Sequence, residues 1–183
     1  MDSGGPSTSS APTGRGEHAV RGVLIVDANV LIDFVQTDIR VLHLVNRHIG
    51  PLCVARDVLD EVSRLDEVAC LQLGIRIVDG TLDQIAEAGT HRGGLSFQDW
   101  VCLILARDNQ WVCVTNDKRL RRRCRELGVE VRWGLQLLLD LVTVGAMAGA
   151  SAVRCAEAIA EVNPTIGRAV IDDFKRRIGP RPA

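Results

Sequence analysis

Apolar residues gather in four short runs, at 23–26, 52–54, 75–78 and 111–115, with a weaker fifth around 129–131. Each is too short for a helix and apolar at consecutive positions, the mark of a strand buried on both faces. Between them, segments 57–65, 82–88, 97–107 and 118–127 place apolar residues three and four apart, which predicts helices, and Gly128 supplies a stop after the last. Strand alternating with helix predicts an α/β fold in which a parallel sheet is covered by helices on each side. After Trp133 the pattern becomes wholly helical over 135–144, 150–162 and 166–178, broken at Gly145, Gly149 and Pro164. Residues 1–21 are mostly Gly, Ser, Pro, Thr and Ala without apolar period, which predicts a disordered tail. The expected organisation is therefore a tail over 1–21, a sheet domain over 22–140, and a helical extension over 141–183 packed on the same domain.

Composition adds limits rather than a function. A chain of 183 residues with 46% apolar content suits one packed domain. Twenty-two basic residues against 23 acidic ones leave a net charge of −1, so attraction to nucleic acid must come from a local patch. The six cysteines form no C-x-x-C pair and sit among apolar neighbours, as expected of core thiols in a reducing cytosol. No signal-peptide pattern and no apolar window of about 18 residues is present, which predicts a cytoplasmic protein without a membrane span.

The chemistry lies in acids near the predicted strand ends, where open parallel sheets form their ligand sites. Asp27 follows the first strand in Val-Asp-Ala-Asn-Val-Leu-Ile-Asp-Phe, and Asp117 follows the fourth in Val-Thr-Asn-Asp-Lys. Asp99 stands in the first turn of a helix whose residues 100–106 are all apolar, and Glu61 on the helix after the second strand. Each acid also has a purely structural reading. Ser96 with Asp99 fits a capping box, as does Asp57 with Asp60, and Asp117 and Asp27 suit a cap and a turn. Convergence decides between the readings, because carboxylates meeting at one end of one sheet repel each other unless a divalent cation joins them. An all-oxygen donor set points to Mg2+ or Mn2+, and His18, His43, His48 and His91 show no ligand spacing. A phosphatase with a strand-end Asp nucleophile would want a second Asp where this chain has Asn29, and a dinucleotide binder would need a Gly-rich loop after the first strand.

Taken in order, Asp27-Ala28-Asn29-Val30-Leu31-Ile32-Asp33, Glu61, Leu95-Ser96-Phe97-Gln98-Asp99 and Val114-Thr115-Asn116-Asp117 resemble the acidic motifs of PIN-domain nucleases, and within them VapC toxins and their relatives. The resemblance spans about residues 23–139. It implies a three-layer α/β/α fold with strand order 3-2-1-4-5, Asp27 and Asp99 as principal metal ligands, and Glu61 and Asp117 completing the cluster directly or through water. It further implies that Asn29 and Thr115 orient the carboxylates, with Ser96 beside them, and that Asp33 faces away from the cluster. The implied activity is an endoribonuclease using Mg2+ (or Mn2+) to leave a 5′-phosphate and a 3′-hydroxyl. As a toxin of a type II pair it would form a homodimer and bind a cognate antitoxin. A PIN protein of RNA processing, or an inactive module binding RNA or protein, would share the motifs, and the C-terminal helices depart from minimal toxins of this type.

For RNA binding the candidates are Lys118, Arg119, Arg121, Arg122, Arg123 and Arg125 in the basic run after Asp117, with Arg92 reaching in from the Gly-rich stretch 89–94. The competing reading of that run is a solvated helix face. Base stacking is expected to matter little, since the chain has three Trp, three Phe and no Tyr, and Phe97, Trp100 and Trp111 are expected in the core.

Overall fold

The computed structural model describes residues 22–91 and 93–179. The expected tail and the role given to Arg92 lie outside the described residues. Strands β1 (Leu24–Val26), β2 (Leu52–Ala55), β3 (Arg76–Val78), β4 (Val112–Val114) and β5 (Val131–Arg132) make one parallel sheet in the order β3-β2-β1-β4-β5. This is the PIN-like α/β/α arrangement. Every residue of β1, β2 and β4 is buried, whereas β3 and β5 are partly exposed, as suits the sheet's two edges.

The crossover from β1 to β2 runs through α1 (Ala28–Thr37) and α2 (Arg40–His48), and that from β2 to β3 through α3 (Arg56–Leu59) and α4 (Glu67–Leu73). From β3 the chain returns through α5 (Leu82–Thr90) and α6 (Phe97–Asn109) to β4, then through α7 (Lys118–Glu126) to β5. Right-handed crossovers on the way out and back put α1 and α2 on one face and α6 on the other, where α6 touches β1, β2 and β4. All seven residues from Trp100 to Ala106 are buried in α6. Burying a Leu or Ile is worth roughly 1.5–3 kcal/mol each, so this packing fixes the end of the helix that carries Asp99. Beyond the sheet, α8 (Gly134–Thr143), α9 (Gly149–Val162) and α10 (Arg168–Ile178) pack on one another, α8 against α2 and α9 against α1.

The helix predicted over 57–65 ends at Leu59. Three-residue turns follow, with the amides of Glu61, Val62 and Leu65 donating to the carbonyls of Val58, Leu59 and Val62. They let Val58, Val62 and Leu65 all reach the core, and Asp66 then starts α4 by accepting from the Ala69 amide at 2.8 Å. Glu61 therefore stands in a turn and not on a helix, and the expected Asp57 box is absent because Ala55 occupies the cap position. Among the described residues all six cysteines are free and buried, and no helix is long and apolar enough to cross a membrane.

Candidate active site at the strand ends

Asp27 is placed by the sheet itself. Its N–H donates to the Val114 carbonyl at 3.1 Å, continuing the β1–β4 ladder, and its Oδ1 accepts from the Val30 amide at 2.9 Å, capping α1. Only 2% of the residue is exposed, and Oδ2 has no hydrogen-bond partner. Burial pushes the carboxyl up to about 7, with repulsion from Asp99 and Asp33 adding to the rise, while the Thr115 hydroxyl and the Val30 amide oppose it. The Thr115 hydroxyl is near enough to act on the charge but makes no well-formed bond to Oδ2. It accepts instead from the Asp117 amide at 2.9 Å.

The cap readings and the site readings turn out to describe the same residues. Asp99 accepts from the Ser96 amide through Oδ2 at 2.9 Å while Ser96 Oγ accepts from the Asp99 amide at 3.0 Å, a complete capping box on α6. Asp117 caps α7 through Oδ1, which accepts from the Leu120 amide at 2.7 Å. Each of the three aspartates thus engages one oxygen with its own helix, which fixes the direction of the other. Glu61, exposed in its turn, is pushed up by partial burial and then by the charge of Asp99. The charge of Asp99 acts on both Asp27 and Glu61, and the charges of Asp117 and Asp27 act on Arg121.

Among the described residues, no three His, Cys, Asp or Glu side chains come close enough to cage a metal ion. Mg2+ seldom needs such a cage, since it keeps several waters and is commonly held by one or two carboxylates plus substrate phosphates. The unpartnered Oδ2 of Asp27, next to a second carboxylate, fits that mode of binding. Asp27 and Asp99 are the carboxylates that would hold the ion, since the charge of Asp99 reaches Asp27.

The other expected residues divide. Thr115 is buried between Asp27 and Asp117, and Ser96 acts through its cap, but Asn29 is exposed on the first turn of α1 and bonds no carboxylate. The basic run does not face one groove. Lys118 and Arg119 are exposed beside Asp117, with Arg119 donating to the Gly94 carbonyl at 3.4 Å. Arg122 and Arg123 pair with Glu126 at 3.5 and 2.9 Å, and Arg123 lies over Trp100. Those pairings follow from helical spacing of three and four residues. Phe97 is exposed rather than in the core.

Arg121, expected to bind RNA, is instead buried, and it and Asp33 belong to a network that local spacing did not mark. Asp33 is 4% exposed and accepts from Asn116 Nδ2 at 2.9 Å and from Asn163 Nδ2 at 3.0 Å. Asn116 Oδ1 in turn accepts from the Gly134 amide at 3.0 Å, and a Cβ on Gly134 would stand 3.2 Å from Asn116 Nδ2 and from Val30 Cγ1. Arg121 is buried, donates to the Asn116 carbonyl at 2.7 Å, and lies 4.3 Å from the centre of the Trp133 ring. Burial pushes its pKa down, as does Arg125, against the pull of Asp117 and Asp27. Trp133 itself is 41% exposed. Asn116 and Asp33 stood within the recognised motifs, but nothing local in the sequence marks Asn163 or Trp133 as their neighbours.

No protein-family model matches the chain, and no curated protein matches it. Among solved structures it is similar to a PilT N-terminus domain protein from the hyperthermophilic archaeon Sulfolobus solfataricus P2, at 12% identity and a TM-score of 0.46, over 63% of this chain and 89% of that one.

Proposed function

We propose that the chain is a metal-dependent endoribonuclease that hydrolyses RNA phosphodiesters at the strand ends of its sheet. The observation that carries this reading is Asp27, a carboxylate 2% exposed whose Oδ2 lacks any partner and whose neighbours include a second carboxylate. A buried, unpaired carboxylate is expensive in a fold that gains nothing from it, and a divalent cation removes that cost. RNA as substrate rests on the resemblance of the motifs.

When bound, Mg2+ or Mn2+ would make water a stronger nucleophile at neutral pH and stabilise charge on the leaving oxygen. The chain's own part is positioning. Val30 and the β4 ladder hold Asp27 and leave its Oδ2 unpartnered, and the Ser96 box holds Asp99 on a buried helix. Thr115 carries the Asp117 turn, and the exposed Lys118 and Arg119 that follow it would bind phosphates on one side of the cut. The resemblance further supports a toxin role, with a cognate antitoxin, homodimers and a cytoplasmic setting as parts of the same proposal.

The test is cleavage of a mixed RNA pool with Mg2+ or Mn2+, comparing the natural chain with Asp27→Asn and Asp99→Asn. Each variant should lose on the order of 10²–10⁴-fold in rate. Equal activity in all three, or cleavage that persists in chelator, would reject these roles.

A further inference from the structure

Beside the acids, a cleft of about 500 Å³ opens between the end of β4 and the C-terminal helices. Its size suits a small organic group, since such sites run to roughly 300–1,000 Å³. One wall comes from the sheet domain, with Asn29, Asp117, Lys118 and Arg119; the other comes from Trp133 and from Thr165 and its neighbours after α9. The cleft thus joins directly to the strand-end site through Asp117, yet half of it is built by residues outside the motif-bearing segments.

We infer that this cleft is a nucleotide subsite, in which Trp133 stacks on a base of single-stranded RNA while Lys118 and Arg119 bind the adjoining phosphate. The inference rests on the nuclease reading for its substrate class and adds to it a determinant of which nucleotide lies beside the cut. Trp133 carries it. The ring is held by the buried Arg121 guanidinium at 4.3 Å and still keeps 41% of the residue in contact with solvent. A large aromatic anchored at a cleft mouth gains nothing for the fold by that exposure, and aromatic faces together with arginine planes are the platforms on which unpaired bases stack. Cations line the same opening, so the base's phosphate meets positive charge rather than Asp27 and Asp99 alone. Exposed Asn29 offers an amide at the rim for contacts with base edges, and the Thr165 hydroxyl, which donates to Asn163 Oδ1, offers an acceptor. An A-form duplex would keep its bases stacked and paired, which is why the occupant is single-stranded.

The test separates binding from cleavage. A labelled single-stranded RNA hexamer pool is titrated by fluorescence anisotropy with the full chain carrying Asp27→Asn in chelator, alone and with Trp133→Ala, Trp133→Phe, Lys118→Ala or Thr165→Glu. Trp133→Ala should weaken binding at least about fivefold, and Trp133→Phe should restore most of it. Lys118→Ala should lower the slope of log affinity against log salt by about 0.7. Thr165→Glu keeps Trp133 and Arg121 and puts a negative charge in the cleft, so it should weaken binding; because the Thr165 hydroxyl donates to Asn163 Oδ1, urea unfolding of the same variant separates lost binding from lost fold. Affinity that is the same with and without Trp133, or a preference for duplex RNA, overturns the inference. Metal-dependent cleavage with unaltered cut sites in Trp133→Ala would remove the subsite and leave the nuclease standing. Trp133-dependent binding without any cleavage would do the reverse.

Discussion

Asp27 and Asp33 lie six residues apart, the first capping α1 and the second within it, and both are nearly sealed from solvent, at 2% and 4% exposed. Their surroundings differ completely. Asp33 accepts three hydrogen bonds from two side-chain amides, Asn116 and Asn163, which pull its pKa back down against burial. Asp27 has one oxygen on a backbone amide, the other on nothing, and Asp99 adding repulsion. A buried polar group is ordinarily paired, so Asp33 is explained by the fold and Asp27 is not. The contrast teaches how to tell a structural acid from a reactive one: by what its second oxygen touches, since burial alone scores the two alike.

The largest effect should come from the paired acid. Asp33→Ala leaves two amides without their acceptor and opens the link between α1, the β4 turn and α9, and should cost about 2–4 kcal/mol in urea unfolding. A cost under about 0.5 kcal/mol would mean that the amides find other partners and the contrast has no energetic content.

The unpaired acid should behave oppositely. With a carboxyl raised from 3.8 to about 7, the folded chain holds a proton between those pH values that the unfolded chain releases, so its stability falls as pH rises through that window and is level above it. Asp27→Asn escapes this loss. In chelator it should be more stable than the natural chain by up to about 4 kcal/mol at pH 8, with no difference below about pH 4. Equal unfolding midpoints across the range would show that Asp27 carries no strain.

Metal should produce the smallest effect and the most specific one. At a concentration tenfold above its dissociation constant, Mg2+ should stabilise the natural chain at pH 8 by about 1.4 kcal/mol. The gain should shrink at pH 5, where Asp27 holds a proton, and vanish in Asp27→Asn. Thermal shifts with Mg2+ and Ca2+ in parallel read it directly, and a shift that survives Asp27→Asn would place the ion elsewhere.

What the sequence determined on its own was everything encoded by local spacing. Short, largely apolar runs marked the five strands, the stretch 100–106 marked a buried helix, and Ser96 three residues before Asp99 marked a capping box. Asp27 and Asp117 were legible because strand ends are where the chain leaves the sheet, and caps put acids there for local reasons. The tertiary structure alone decided which carboxylate oxygens stay unpaired, since Asp33 meets an amide 130 residues away and Asp27 Oδ2 meets no donor. It also decided that Glu61 sits in a turn, that Arg121 lies buried while Lys118 and Arg119 stay exposed, and that Trp133 stands at the mouth of a cleft. Pairing, desolvation and exposure are properties of what arrives from distant parts of the chain, and no periodicity along it records them.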